Sequence, residues 1–278
     1  MPGFLIGSEA HKQLFCQTFM ESHEAYEPVN LPWPTLDELS LRKLRALPIW
    51  PMALQAETNA GAMVTGFAAT IADPAVRQAV ELQGFEEARH GRLIQTMVDR
   101  YGLSAVAQPP QLEPTESAFI HFGYCECLDS FLGFGGYRLA QELEFMPQAL
   151  ISLFSRVLWE EARHIVFFVN WIAYERVQRG YGAAFMQAVA TAIGYIRAVI
   201  DRIVSGRDVA GNATEPVELP SIGLIQLLNA GVSENERLMA KFDPRLLRPR
   251  VVPGIAQMVL NAAKTGDNIR GAFSPRAS

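Results

Sequence analysis

Glu86-Glu87-Ala88-Arg89-His90 reappears letter for letter as Glu160-Glu161-Ala162-Arg163-His164. Repetition inside one chain marks two matching structural units. In each copy the second glutamate and the histidine are three residues apart, so on a helix both side chains project from one face. Gln83, Ile94 and Met97 share that face in the first copy, and Val157, Phe168 and Trp171 in the second. The face therefore points inward, and a carboxylate and an imidazole enter the core twice, where an unpaired charge is costly. A metal ion compensates such groups. Carboxylate oxygen with neutral imidazole nitrogen suits iron or manganese better than structural zinc.

The helices that carry the repeat follow from their end signals. Apolar and small residues recur at helical spacing from Met52 through Leu54, Gly61, Val64 and Ala68. Asp73-Pro74 predicts a helix start, since the aspartate accepts an orphan amide and proline at the first position loses no hydrogen bond. One helix thus ends near Ala72, and the next runs to Tyr101, where Gly102 takes the left-handed stop. Thr115 caps a third long helix, which reaches Leu143. Met146-Pro147 turns directly into a fourth, which ends near Arg179-Gly180. These are two helical hairpins, with one pentapeptide on the second helix of each. Past Gly182 the pattern gives an apolar helix to Val204, a polar loop from Gly211 to Pro220 and a helix over Ser221 to Phe242. A last helix is disturbed by Pro249 and Pro253, and the tail after Gly266 is expected to fray. Nothing in the pattern calls for a strand.

A two-metal site needs two more carboxylates, one from each partner helix. Glu57 lies as far upstream of the turn at Asp73 as the Glu87/His90 pair lies downstream, and it is the only acid between Trp50 and Ala72. For the second hairpin the same geometry points near residue 130, which Glu126 and Asp129 approach from one side. Both share a face, so spacing alone does not choose between them. Glu126 is preferred because glutamate spans helix-to-helix distances more readily, with Asp129 as an outer partner or alternate ligand.

With these residues in place the chain, over Met52 to Arg179, resembles the ferritin-like di-iron carboxylate superfamily, whose pattern is Glu, Glu-x-x-His, Glu, Glu-x-x-His over a four-helix bundle. The resemblance implies Glu57, Glu87, His90, Glu126, Glu161 and His164 as metal ligands that act catalytically through the metals. It also implies two iron ions, with manganese or a mixed pair as the other option, and dioxygen as co-substrate. The activity implied is a non-haem di-iron oxygenase or oxidase acting on a small organic substrate. A ferritin-type iron store and a manganese catalase are the alternatives from the same superfamily. There is no nucleotide-binding glycine motif, phosphate loop or four-cysteine cluster pattern, so electrons come from an external donor or reductase or from the substrate.

Composition is consistent with this all-α reading. The chain has 278 residues, 49% hydrophobic, and its 24 basic against 29 acidic side chains give a net charge of −5, which disfavours nucleic acid as a partner. Residues 1–51, punctuated by five prolines from Pro28 to Pro51, read as an arm with short helices. Residues 52–180 form the bundle, and 181–278 pack on it as a helical extension. Ala183 to Ile200 is broken by Gln187 and Arg197, which fits a buried helix or a homodimer contact better than a membrane span. The start of the sequence lacks secretory features, and Cys16, Cys125 and Cys127 make no disulfide framework, so the expected location is cytoplasmic.

Other residues near the centre have two readings. Arg89 and Arg163, turned by about 100° from the histidines, either pair with Glu86 and Glu160 on the surface or support the ligands. Tyr124, Tyr137 and Trp159 are read as packing rather than redox groups. His121 reads as a hydrogen-bonded histidine, and Cys125 and Cys127 as small fillers. Glycines on the first and third helices, Gly123 and Gly133 to Gly136 among them, are expected to leave a substrate cavity beside the third helix.

Overall fold

A computed structural model describes residues 4–180, 184–206 and 222–273, and all the regular structure in these residues is helical. The arm supplies α1 (Glu9–Glu21), a single 3-10 turn (Pro28–Asn30) and α2 (Glu38–Ala46). The main body consists of α3 (Trp50–Ala68), α4 (Pro74–Tyr101), α5 (Glu116–Glu142), the short α6 (Gln148–Ile151) and α7 (Phe154–Gln178). Then come α8 (Ala184–Gly206), α9 (Leu224–Met239) and α10 (Val251–Phe273). The loop expected over Gly211 to Pro220 and the last residues of the tail lie outside the described residues.

The end signals act as their chemistry requires. Asp73 accepts hydrogen bonds from the Ala75 and Val76 amides, with Pro74 at the first helical position. Gly102 ends α4 at φ +63°, which only glycine adopts without strain, and the Thr115 side chain accepts from the Ala118 amide to start α5. Asp73 also pairs with the buried Lys12 of α1, so it fastens the arm to the start of α4. We expect Asp73→Ala to lower stability by about 1 to 2 kcal/mol, measured as a shift in denaturation midpoint. A shift below a few tenths would show that the cap is replaceable.

Two boundaries next to the repeat differ from the sequence reading, and α10 runs on through Gly266 to Phe273, where the tail was expected to fray. The first helix of the hairpin stops at Ala68, and a turn in which the Thr70 and Ile71 amides donate to the Phe67 and Ala68 carbonyls leads to Asp73. The fourth helix does not begin at Pro147; α6 intervenes, with a break at Ser152 and Leu153. The break lets Leu150, Ile151 and Leu153, nearly consecutive, enter the same core cluster, which one straight helical face does not allow.

α3 packs along α4, α5 along α7, and α3 against α5; α1 lies across α4 and α7, whereas α8 and α9 cover α5. The apolar core forms two clusters. One gathers Met63, Val64, Val80, Phe119, Ile165 and Phe168, and the other Trp33, Leu54, Leu93, Met97 and Leu150. Along α3, Glu57 falls between Leu54 and Met63, and along α4 Glu87 and His90 fall between Val80 and Leu93, so a polar layer separates the clusters. Among the described residues no helix is long and apolar enough to cross a membrane.

Candidate metal centre

The polar layer is built from four helices: Glu57 from α3, Glu87 and His90 from α4, Glu126 from α5, and Glu161 and His164 from α7. His90 Nδ1 lies 3.1 Å from Glu161 Oε1 and 3.6 Å from both Glu57 Oε2 and Glu87 Oε2. His164 Nδ1 lies 3.0 Å from Glu87 Oε1 and 3.6 Å from Glu161 Oε2. Ligand-type atoms cluster tightly in two groups, Glu57, Glu87, His90 and Glu161 in one and Glu87, Glu126 and His164 in the other. Glu87 belongs to both, and Glu161 reaches both histidines. All six residues anticipated from the repeat and its spacing are thus brought together.

The donor set fits metal ions on one observation in particular. Both Nδ1 atoms are buried and, although carboxylates surround them, neither finds a hydrogen-bond partner. Buried nitrogens without partners are costly in a folded core. Nδ1 atoms aimed into groups of carboxylate oxygens are, once their protons leave, the arrangement a hard or borderline cation needs.

The opposite nitrogen of each ring is fixed by the other copy of the repeat. His90 Nε2–H donates to Glu160 at 2.7 Å, and His164 Nε2–H donates to Glu86 at 2.9 Å. Arg89 donates to Glu160 at 2.6 Å, while Arg163 donates to both oxygens of Glu86 at 2.7 and 2.9 Å. Each pentapeptide's first glutamate and arginine therefore orient histidines across the α4–α7 boundary, and this accounts for four of the five repeated letters where ligation needs two. The surface ion-pair reading of the arginines is overturned, since both are 1% exposed. Such carboxylate–histidine pairs select the tautomer that leaves Nδ1 free to ligate.

The arm completes the network in a way the sequence did not signal. His23 Nδ1 lies 2.6 Å from Glu86 Oε1, and the Tyr26 hydroxyl donates to Glu160 at 3.2 Å. The guanidiniums of Arg89 and Arg163 lie over the rings of Tyr26 and Phe19. These residues sit in or beside a proline-punctuated stretch with no periodicity or spacing to attach them to the centre.

Asp129 is in neither group. Its carboxylate is engaged by Arg202 from α8, through Nε at 2.8 Å and a second guanidinium contact. Sequence spacing could not anticipate this, because the partner arrives from a separate helix. Tyr124 accepts from Arg176 and packs edge-on against Phe168, Tyr137 accepts from Gln141, and Trp159 stacks on Phe242. All three are accounted for by packing and hydrogen bonding.

Of the α5 glycines expected to leave a cavity, Gly133 and Gly136 face open space, whereas Gly123 and Gly135 are closely packed. A Cβ at Gly123 would stand 2.2 Å from Phe168, and one at Gly135 would stand 2.7 Å from the Leu227 carbonyl on α9. A groove of about 280 Å³ lies instead between α3 and α4, lined by Leu54, Glu57, Gly61, Ala88 and Gly91 among others. Glu57, with its side chain 21% exposed, is where this groove meets the centre.

Electrostatics in the metal-free centre are set by burial and by crowded carboxylates. Burial, together with the charges of Glu87 and Glu161, pushes Glu57 up to about 7 despite His90. Burial and the neighbouring Glu161 and Glu87 raise Glu126 well above the usual carboxylate range. For Glu161 burial acts upward but Glu126 and the two histidines outweigh it and hold the group well below that range. Burial also opposes charge on His90 and His164, yet the surrounding carboxylates win and raise both well above 6.5. Glu86 and Glu87 are lowered, since histidine contacts, with Arg163 added for Glu86, exceed the burial cost.

The signs give a pH profile for the metal-free protein. The raised histidines contribute stability fully below 6.5 and lose it as pH rises through their folded values, and raised Glu57 adds a loss between 4.5 and about 7. The lowered carboxylates contribute fully above 4.5 and lose their contribution only as pH falls through their folded values. Thermal unfolding of metal-free protein is therefore expected to show a mildly acid optimum and falling stability above neutrality. Metal uptake should strengthen over the same upward range, as ligand protons leave. A flat profile from pH 5 to 8, about the range where such groups titrate, would contradict this charge assignment.

A scan against models of known protein families finds no match, and no curated protein matches the chain.

Proposed function

We propose that the buried layer is a two-metal centre of the ferritin-like carboxylate type, and that the protein is a non-haem di-iron oxygenase or oxidase acting on a small organic substrate. The observation that carries this reading is the pair of partnerless Nδ1 atoms facing carboxylate groups that share Glu87. Glu57, Glu87, His90 and Glu161 would hold one ion, and Glu87, Glu126 and His164 the other, with Glu161 close enough to serve both. When bound, two iron ions supply the electrons that reduce dioxygen.

The chain's own residues prepare the site for that chemistry. Glu160 and Glu86 hold the Nε2 protons of His90 and His164 and so keep each Nδ1 as the ligating atom. The two core clusters exclude water from either side of the layer. Burial and the charges of Glu161 and Glu87 raise Glu126 well above the usual carboxylate range while Glu161 is held below it, which makes Glu126 the carboxylate best placed to exchange a proton as the site fills. The groove between α3 and α4 is lined largely by small and apolar residues, which favours a small, mostly apolar substrate approaching at Glu57.

The test is to load the metal-free chain with ferrous iron under anaerobic conditions and to follow oxygen consumption and the visible spectrum on mixing with oxygen. The proposal expects rapid uptake of oxygen with a transient optical band, enhanced by a competent small organic substrate. Iron accumulating far beyond two ions per chain in a large hollow particle would indicate storage. Peroxide disproportionation that requires manganese would indicate a catalase.

A further inference from the structure

On the flank of α5 that faces α8, a second group of ligand atoms comes together. His121 and Cys125 lie one turn apart on α5 and share a face, and α8 brings Asp201 against them. His121 Nε2 stands 3.6 Å from Cys125 Sγ and 3.8 Å from Asp201 Oδ2. The three ligand atoms all lie within 4.8 Å of one another. A tetrahedral ion with zinc-like bond lengths separates nitrogen, sulfur and oxygen ligands by about 3.3 to 3.6 Å. The histidine–cysteine distance already meets this. The aspartate oxygen, 3.8 Å from His121 Nε2 and within 4.8 Å of Cys125 Sγ, must move inward by up to about 1 Å, and its side chain is 48% exposed.

We propose that His121, Cys125 and Asp201 form a second metal site, separate from the buried centre, that takes a borderline divalent cation of the zinc class with water in the remaining position. The donor chemistry distinguishes the two sites: the buried layer offers only oxygen and nitrogen, whereas this group includes a sulfur, which favours zinc over iron or magnesium. Binding replaces the thiol proton with a metal–sulfur bond and releases that proton to solvent. The thiolate and the carboxylate then balance the ion's two charges. Arg202 lies 3.6 Å from Asp201 but is already committed to Asp129, so it can yield Asp201 without losing its partner. His121 and Asp201 are both nearly half exposed while Cys125 is buried, so the ion enters from solvent and its water faces outward. Its effect is to tie α8 to the turn of α5 that carries Glu126, the residue next to Cys125.

Titration of the full metal-free chain with cobalt(II), followed by the sulfur-to-cobalt charge-transfer absorption in the near ultraviolet, tests this site apart from the buried one. Cobalt held by carboxylates and imidazoles gives no such band, so the outcome does not depend on whether the buried centre binds metal. The band at saturation is expected to have the intensity of about one sulfur-bound cobalt per chain, whatever cobalt the buried centre takes up, to vanish in Cys125→Ser and to be erased by zinc. His121→Ala and Asp201→Asn, at half-exposed positions that the fold tolerates, should each weaken cobalt binding by at least about tenfold. If Cys125→Ser fails to fold, these two variants decide alone. Absence of the band in the unmodified chain, its survival in Cys125→Ser, or unchanged affinity in both surface variants overturns the proposal.

Discussion

Arg163→Ala is expected to destabilise the metal-free protein by about 3 to 5 kcal/mol, the range typical of breaking a buried ion pair from one side. Every nitrogen of the Arg163 guanidinium donates inside the protein. One nitrogen donates to both oxygens of Glu86, another to the Ser22 hydroxyl at 2.8 Å and the third to the Phe19 carbonyl at 2.5 Å. Truncation leaves the Glu86 carboxylate, 0% exposed, without its hydrogen-bonded guanidinium, and with Arg89 no nearer than 3.8 Å. It also frees the end of α1 from α7. For a chain of this size the loss corresponds to a fall in melting temperature on the order of 10 °C. Lysine should not rescue, because it cannot reproduce the planar fork. Arg138→Ala, which removes an exposed pair with Glu142, should change stability by about 0.5 kcal/mol or less. A loss below about 1 kcal/mol at Arg163, measured by chemical denaturation, would show that the crossed network is ornamental to the fold.

The second large effect concerns Glu87. It belongs to both groups of ligand atoms, whereas Glu57 and Glu126 each belong to one. Glu87→Ala is therefore expected to abolish tight retention of both ions. Glu57→Ala should lose chiefly the ion at His90, and Glu126→Ala the ion at His164. Each should weaken its site by more than about 100-fold, since even groups that only orient a ligand are worth 10- to 100-fold. Asp129→Ala should leave both ions in place, because that carboxylate is engaged by Arg202. Equilibrium binding with ferrous ion or its manganese analogue separates these patterns. Equal losses in Glu57→Ala and Glu87→Ala would contradict a shared Glu87.

How far the sequence carried this account depended on what kind of signal each feature leaves. The helices around the centre announced themselves by caps and stops, and Asp73, Gly102 and Thr115 act where local chemistry places them. Glu57 was legible because it is an isolated acid in an apolar helix. Glu126 and Asp129 were not separable, since one turn of α5 offers both and only α8, through Arg202, decides between them. The break between α6 and α7 was hidden because Leu150, Ile151 and Leu153 satisfy a core that exists only after folding. His23 and Tyr26 were invisible for a related reason: their partners are more than sixty positions away, beyond any periodic pattern. The glycines of α5 were read as space, which holds at Gly133 and Gly136, yet helix crossings produce the same absence of side chains, and Phe168 and α9 fill the positions of Gly123 and Gly135.

The repeated pentapeptide remains the central claim, and the metal content of the chain tests it most directly. After anaerobic loading with ferrous iron and removal of free metal, elemental analysis should find about two irons per chain, as a Glu plus Glu-x-x-His pair from each hairpin provides. Glu87→Ala and Glu161→Ala should lose them. Negligible iron in the unmodified chain, or iron content undiminished from the unmodified chain in both variants, would make the repeat a buried ion-pair frame and contradict the account.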